Sequence, residues 1–149
     1  MARLTRFIVL GSLLTACSEN AMSPTAPALG ASSRSISSNA PGAVFTQTNA
    51  TSGNSVLIYR RSADGSLVAA GSVATGGTGT GAGLGSQGAV TLSADGDWLL
   101  VVNAGSNDVS SFSVGDGGAL TLRGKASSGG TQPISVTIHD DLVYVVNTG

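Results

Sequence analysis

The side chains best suited to nucleophilic, acid–base or metal chemistry are few here: one cysteine, Cys17, one histidine, His139, and one glutamate, Glu19. A single thiol excludes both a disulfide framework and a cysteine-based zinc cage, and no set of metal ligands emerges from the spacing. His139 could serve as a general base only where a substrate reaches it. It lies in His139-Asp140-Asp141, between two apolar runs, which is the composition of a surface turn. Arg60, Arg61, Arg123 and Lys125 suit an anionic substrate and a solvated strand edge equally well. The run Gly83-Leu-Gly85-Ser-Gln-Gly88 matches G-x-G-x-x-G, the pattern of a dinucleotide-binding turn. That chemistry needs a helix next, whose N-terminus holds the pyrophosphate. Ala89-Val-Thr-Leu-Ser reads instead as a strand, so the stretch 76–88 is a long loop with no cofactor implied. Formal net charge is −1, which leaves no basic footprint for nucleic acid.

Cys17 gains its meaning from what precedes it. Arg3 and Arg6 form a short positive start, and Phe7 to Leu14 an apolar run too short to cross a bilayer, as in a secretory signal. Leu14-Thr15-Ala16-Cys17 resembles the bacterial lipobox, in which the thiol is diacylated and the chain is cut before it. Several acyl chains, at ~0.8 kcal/mol per buried CH₂, hold a protein on a membrane firmly. The expected organisation is a lipoprotein signal over 1–16, then a lipidated Cys17 and a Ser/Ala/Pro tether over 17–42, then a folded part over 43–149. Cleavage would leave five basic against eight acidic residues. The expected location is the cell envelope, with the lipid anchor binding the membrane.

Gly, Ser, Thr and Val dominate residues 43–149, and helical periodicity is absent, so the fold class is all-β. Two internal repeats stand out. Asn54-Ser-Val56-Leu-Ile-Tyr59 aligns with Asn107-Asp-Val109-Ser-Ser-Phe112, and Gly76-Gly77 with Gly129-Gly130. Gln87 to Asn103 aligns with Gln132 to Asn147. Periods of ~40–50 residues in an all-β sequence indicate β-propeller blades. Strands are expected over 89–94, 98–103, 108–114 and 119–125, separated by Gly-, Asn- and Asp-rich turns. They form one up-and-down blade of strands A to D, counted outward from the axis. The run Leu99-Leu-Val-Val102 is apolar throughout, as a strand covered on both faces requires. Residues 43–149 hold about two and a half four-stranded blades, the first beginning at strand B over 43–48.

Strand order also sorts the loops. The A–B and C–D turns share one face, with Asp64-Gly65, Asp95-Gly96, Asp116-Gly117 and His139. The B–C and D–A loops share the other, where propellers usually bind ligands. Gln87, Asn103, Asn107 and Gln132 are the candidate ligand-face residues, with Asn49 and Asn147 alongside. The long glycine-rich loop also falls there, as a candidate lid or binding loop.

The pattern from Gln87 through Val90, Leu92-Ser93, Asp95-Gly96, Trp98-Leu99, Val101, Asn103, Ser106-Asn107 and Val109-Ser110 to Phe112 resembles the lactonase family of seven-bladed β-propellers. That family groups bacterial 6-phosphogluconolactonase with fungal carboxymuconate cyclase. Val143-Tyr-Val-Val-Asn147 is similar to the surface repeats named for Tyr-Val-Thr-Asn. The resemblance implies a ring closed by strands from both chain ends, and so a parent chain of ~330–400 residues of which this is an N-terminal piece. It also implies chemistry on a lactone, carried by His, Arg and Glu at the channel mouth. No Glu follows Glu19, so no catalytic residue is assigned. Two functions are expected: a lactone-hydrolysing or lactone-forming enzyme, or a non-catalytic envelope propeller binding a protein, glycan or small ligand.

Overall fold

A computed structural model describes residues 41–149. The expected signal over 1–16, Cys17 and all of the tether save Pro41 and Gly42 lie outside the described residues. Nine strands occur among those described, in three antiparallel sheets. The first sheet joins β1 (Gly42–Gln47), β2 (Ser55–Arg61) and β3 (Leu67–Ala74). The second joins β4 (Val90–Leu92), β5 (Trp98–Asn103), β6 (Asp108–Val114) and β7 (Leu120–Ser127). The third pairs β8 (Pro133–His139) with β9 (Leu142–Asn147). Each sheet keeps sequence order, so the chain is an all-β partial propeller: strands B–D of one blade, a complete blade, then strands A and B of another.

The repeat is physical as well as textual. A β-bulge between Ile58 and Tyr59 leaves Ala70 as the extra residue of β3. The same bulge lies between Ser111 and Phe112, with Arg123 extra in β7. Both interrupt strands C and D at matching sites, where the extra residue increases the local twist. β5 and β6 occupy their expected spans. β4 is shorter than 89–94 because Ser93 already closes the turn, donating its N–H to Trp98 O at 2.8 Å. A one-turn 3₁₀ helix, Asp116–Gly118, stands where a plain hairpin turn was expected. His139 ends β8 opposite Leu142, and the two-residue turn Asp140-Asp141 follows it.

The apolar run of β5 is buried because each of its faces meets a different blade. Leu99 and Val101 pack with Phe112 against Val56 of the first sheet, joined by Phe45 and Val73. Leu100 and Val102 pack with Val109 against Val136 of the third, joined by Ile138 and Val145. The sheets approach most closely at their first strands: Val136 N–H donates to Gly88 O, and Thr91 Oγ1 to Val136 O, both at 2.8 Å. That convergence puts the propeller axis on the β4–β8 side.

Above the apolar layer, the first seam is closed by a buried polar latch. Asn103, fully buried at the end of β5, donates from Nδ2 to Asp108 Oδ1 at 2.7 Å and Ser110 Oγ at 2.8 Å. Its Oδ1 accepts from Asn54 Nδ2 at 3.0 Å and Thr75 Oγ1 at 2.7 Å, both in the preceding blade. All four hydrogen-bonding positions of the carboxamide are therefore filled. Ser110 Oγ donates onward to Thr75 O, and Lys125 Nζ holds Asp108 Oδ2 at 2.9 Å. Gly77 sits so close that a Cβ there would overlap the Asn103 side chain. Gly130 stands in the same relation to Asn147 at the second seam.

Truncating Asn103 leaves buried donors and acceptors unpaired at ~1–3 kcal/mol each, less what water entry restores. Asn103→Ala is expected to lose about 3 kcal/mol in urea unfolding. Phe112→Ala, which empties the apolar half of the same seam, is expected to cost ~3–5 kcal/mol. An Asn103→Ala midpoint equal to wild type would show that the apolar layer alone holds the blades.

Candidate functional site

The B–C loops (48–54 and 104–107) and D–A loops (75–89 and 128–132) lie together on the upper face, at the Asn103 end of β5. The lower face carries Asp64, Asp95, Asp97, Asp116, Asp140 and Asp141, and two of its turns are capped by aspartate, at Asp64 and Asp95. Asp64 is typical: its Oδ1 accepts from Ser66 Oγ at 2.7 Å and Ser66 N at 2.9 Å. The Ser66 hydroxyl, and then its amide, hold this carboxyl below the usual carboxylate range. His139 is on this lower face too, exposed and 3.6 Å from Asp140 Oδ2. It takes no part in the upper site.

The four candidate residues have different fates. Asn103 has no exposed surface, and its amide serves the seam between blades rather than a ligand. Asn107 is half-buried in the left-handed region, φ 60°, and its Oδ1 accepts the Gln132 N–H at 2.7 Å. Gln132 is also left-handed, φ 52°, and exposed. Gln87 is exposed just before β4. The structure thus joins Asn107 to Gln132, spends Asn103 inside, and leaves Gln87 standing apart. Asn147, the counterpart of Asn103, donates to Ser128 O at 3.1 Å while its buried Oδ1 has no partner among the described residues.

Asn49 does what no sequence signal announced. Also left-handed (φ 50°), it clamps the glycine-rich loop: Nδ2 donates to Thr80 Oγ1 at 3.0 Å and Ala82 O at 2.7 Å, and Oδ1 accepts from Thr80 N at 3.1 Å. The loop also bonds the next blade, Thr78 N to Ser106 Oγ at 2.9 Å and Gly105 N to Thr78 O at 2.9 Å. A Cβ on Gly79 would overlap the Asn49 carbonyl. Leu84 then packs into the second apolar cluster. The glycine-rich loop, expected as a lid or binding loop, is a strap in this structure, pinned across the first seam and seated at the second.

A concavity of about 590 Å³ opens in the second seam, lined by Leu100, Val109, Ser111, Gly124, Val143 and Val145, and reaches Ser128 and Gly129 of the upper D–A loop. At the first seam β6 covers the matching surface with the Phe112 ring, so this cleft is interblade space. A smaller notch of about 320 Å³ holds Ser106, Asn107, Asp108 and Lys125 on the upper rim.

Asn49→Ala removes the three side-chain bonds to the strap, and Gly79→Ala forces the strap off its seat. Limited proteolysis should cut either variant within 78–88 at least tenfold faster than wild type, for a local loss of about 1.4 kcal/mol or more. Equal cutting rates would mean that the clamp does not hold the strap.

Comparison with known proteins agrees with this architecture. The family described as lactonase, 7-bladed beta-propeller, matches residues 52–148, which include both seams. Among solved structures, the chain is similar to a protein from Lactobacillus plantarum, at 26% identity and TM-score 0.52, over 64% of this chain and 28% of that one. It is also similar to a periplasmic gluconolactonase from Pseudomonas aeruginosa, at 25% identity and TM-score 0.51, over 74% of this chain and 33% of that one. The chain therefore spans about a third or less of the length of these structures. No curated protein matches it. A blade repeat with shared bulges, an interblade latch and a family match running across both seams lead to one assignment: the chain belongs to the lactonase family of seven-bladed β-propellers.

Proposed function

We propose that this chain forms part of a lactone-acting propeller of the cell envelope, anchored by lipid on Cys17, with the ligand received on the upper face near the axis. The family match over 52–148 carries this reading. The similar solved structure described as a periplasmic gluconolactonase joins a lactone substrate to a compartment outside the cytoplasm, as the lipobox-like Leu14–Cys17 also suggests.

Lactone hydrolysis is an acyl transfer. Water must be activated, charge developing on the carbonyl oxygen must meet donors, and the ring oxygen must leave with a proton. Among the described residues, the upper face offers carboxamides, hydroxyls and backbone N–H groups, which orient a ligand and donate to a carbonyl. It offers no His or Glu, and its only Asp, Asp108, is tied to Asn103 and Lys125. In this reading these blades hold the ligand, and activation of water belongs to side chains elsewhere in the ring.

The carboxamides, hydroxyls and backbone N–H groups of the upper face, which suit holding a ligand, also support a second reading, a non-catalytic envelope propeller. A pH-stat screen of sugar lactones and muconolactones separates the two. Hydrolysis above the spontaneous rate supports catalysis; ligand binding with no turnover of any lactone supports the scaffold. For the anchor, labelled palmitate should enter the wild type and be absent from Cys17→Ala. Equal labelling of both would remove the lipoprotein reading.

A further inference from the structure

Three aspartates of the lower turns are each followed by glycine: Asp64-Gly65, Asp95-Gly96 and Asp116-Gly117, with all three aspartates exposed. In such a pair the glycine nitrogen can close on the aspartate carboxyl carbon to form a five-membered succinimide, and glycine has no Cβ to obstruct the approach. The fold treats the three pairs differently. In the first, Gly65 N–H donates to Ser62 O at 3.0 Å, while Asp64 Oδ1 accepts from Ser66 N at 2.9 Å and Ser66 Oγ at 2.7 Å. In the second, Gly96 N–H donates to Ser93 O at 3.0 Å, while Asp95 Oδ1 accepts from Asp97 N at 3.0 Å and from Ser93 Oγ. Both reacting groups are engaged elsewhere in these two turns.

The third pair carries neither restraint. Its 3₁₀ turn is built from Gly118 N–H to Gly115 O at 3.1 Å and Ala119 N–H to Asp116 O at 3.4 Å. Neither bond uses the Gly117 N–H, and the Asp116 carboxylate has no hydrogen bond or ion pair among the described residues. Gly117 is itself exposed and left-handed, φ 65°, between two further glycines, so no neighbouring side chain resists rotation of the Asp116–Gly117 peptide.

We propose that Asp116 is a site of spontaneous isomerisation to isoaspartate, to which the fold directs the reaction in preference to Asp64 and Asp95. The Gly117 nitrogen attacks Cγ of the acid form of Asp116. The N–Cγ bond forms, the Cγ–OH bond breaks, and the hydroxyl leaves as water with the amide proton. A second water then opens the ring. Attack at the main-chain carbonyl breaks its bond to nitrogen and leaves the chain running through the Asp116 side chain; attack at Cγ restores aspartate. No electrons are transferred, and water is the only co-reactant.

The product alters a contact between blades. Isoaspartate lengthens the main chain by one methylene just before Gly118, which is buried so close to β1 that a Cβ on it would overlap that of Ala43. The ring of Phe45, which packs on the first apolar cluster, is the next neighbour of that position. The added length therefore presses on the seat of this C–D turn against the preceding blade.

The test ages the full chain at neutral pH, folded and in urea, and measures isoaspartate at each pair by electron-transfer fragmentation of its peptides. In the folded chain the product should form at Asp116 about tenfold faster than at Asp64 or Asp95, where hydrogen bonds must break first. In urea the three rates should converge. Ser66→Ala, which removes the hydroxyl bond to Asp64, should speed the reaction at Asp64 and leave Asp116 unaffected. The isolated isoaspartate form should unfold at a lower urea midpoint than the unaged chain. No product at Asp116, equal rates in the folded chain, a preference for Asp116 that survives in urea, or an Asp64 rate unmoved by Ser66→Ala would overturn the proposal. An unchanged midpoint would overturn its effect on the blade contact.

Discussion

The carboxamide of Asn103 is the interaction on which the described blades depend. A β-sheet buried on both faces has no intrinsic reason to stop at one register against its neighbour, because apolar contacts are non-directional. Leu99, Val101 and Phe112 supply most of the attraction at the first seam. Asn103 supplies its direction. Its four bonds reach Asn54 and Thr75 on one side and Asp108 and Ser110 on the other, so only one vertical placement of the blades satisfies them all. In a dry setting any other placement strands several polar groups at once.

The upper face inherits its rigidity from that latch. Thr75 and Gly77, which touch Asn103, also begin the glycine-rich strap, so the strap starts at a fixed point and is clamped again by Asn49. Backbone and side-chain polar groups near the seams are consumed in this way. Turn chemistry explains the segregation of charge. Two lower hairpins close on aspartate, which accepts from the amide two residues on, as Asp64 does from Ser66 and Asp95 from Asp97. The upper loops use left-handed Asn and Gln instead, and so remain uncharged.

Much of the fold was legible along the chain. β5 and β6 could be drawn to the residue, β5 because a run apolar on both faces has few alternatives and β6 because turn chemistry bounds it on both sides. The candidate site was legible only in outline. Asn54 and Asn107 are equivalent by repeat, yet Asn54 turns inward to the latch while Asn107 caps Gln132 from a left-handed bend. Asn54 ends a seven-residue loop, 48–54, whereas Asn107 ends one of four residues, 104–107. Asn103 looked like a loop residue for the same reason, since nothing local distinguishes an amide facing solvent from one facing the next blade.

Periodicity and turn residues, which are local properties of backbone and side chain, determined by themselves that the chain is all-β, that it repeats in blades, and which loops share a face. The tertiary structure alone decided which polar side chains are spent and which remain. A carboxamide's role depends on the donors and acceptors within about 3 Å of it, and the partners that reach it from across a seam come from residues 19 to 49 positions away. No spacing rule along one strand contains that information. The packing of one blade on the next does.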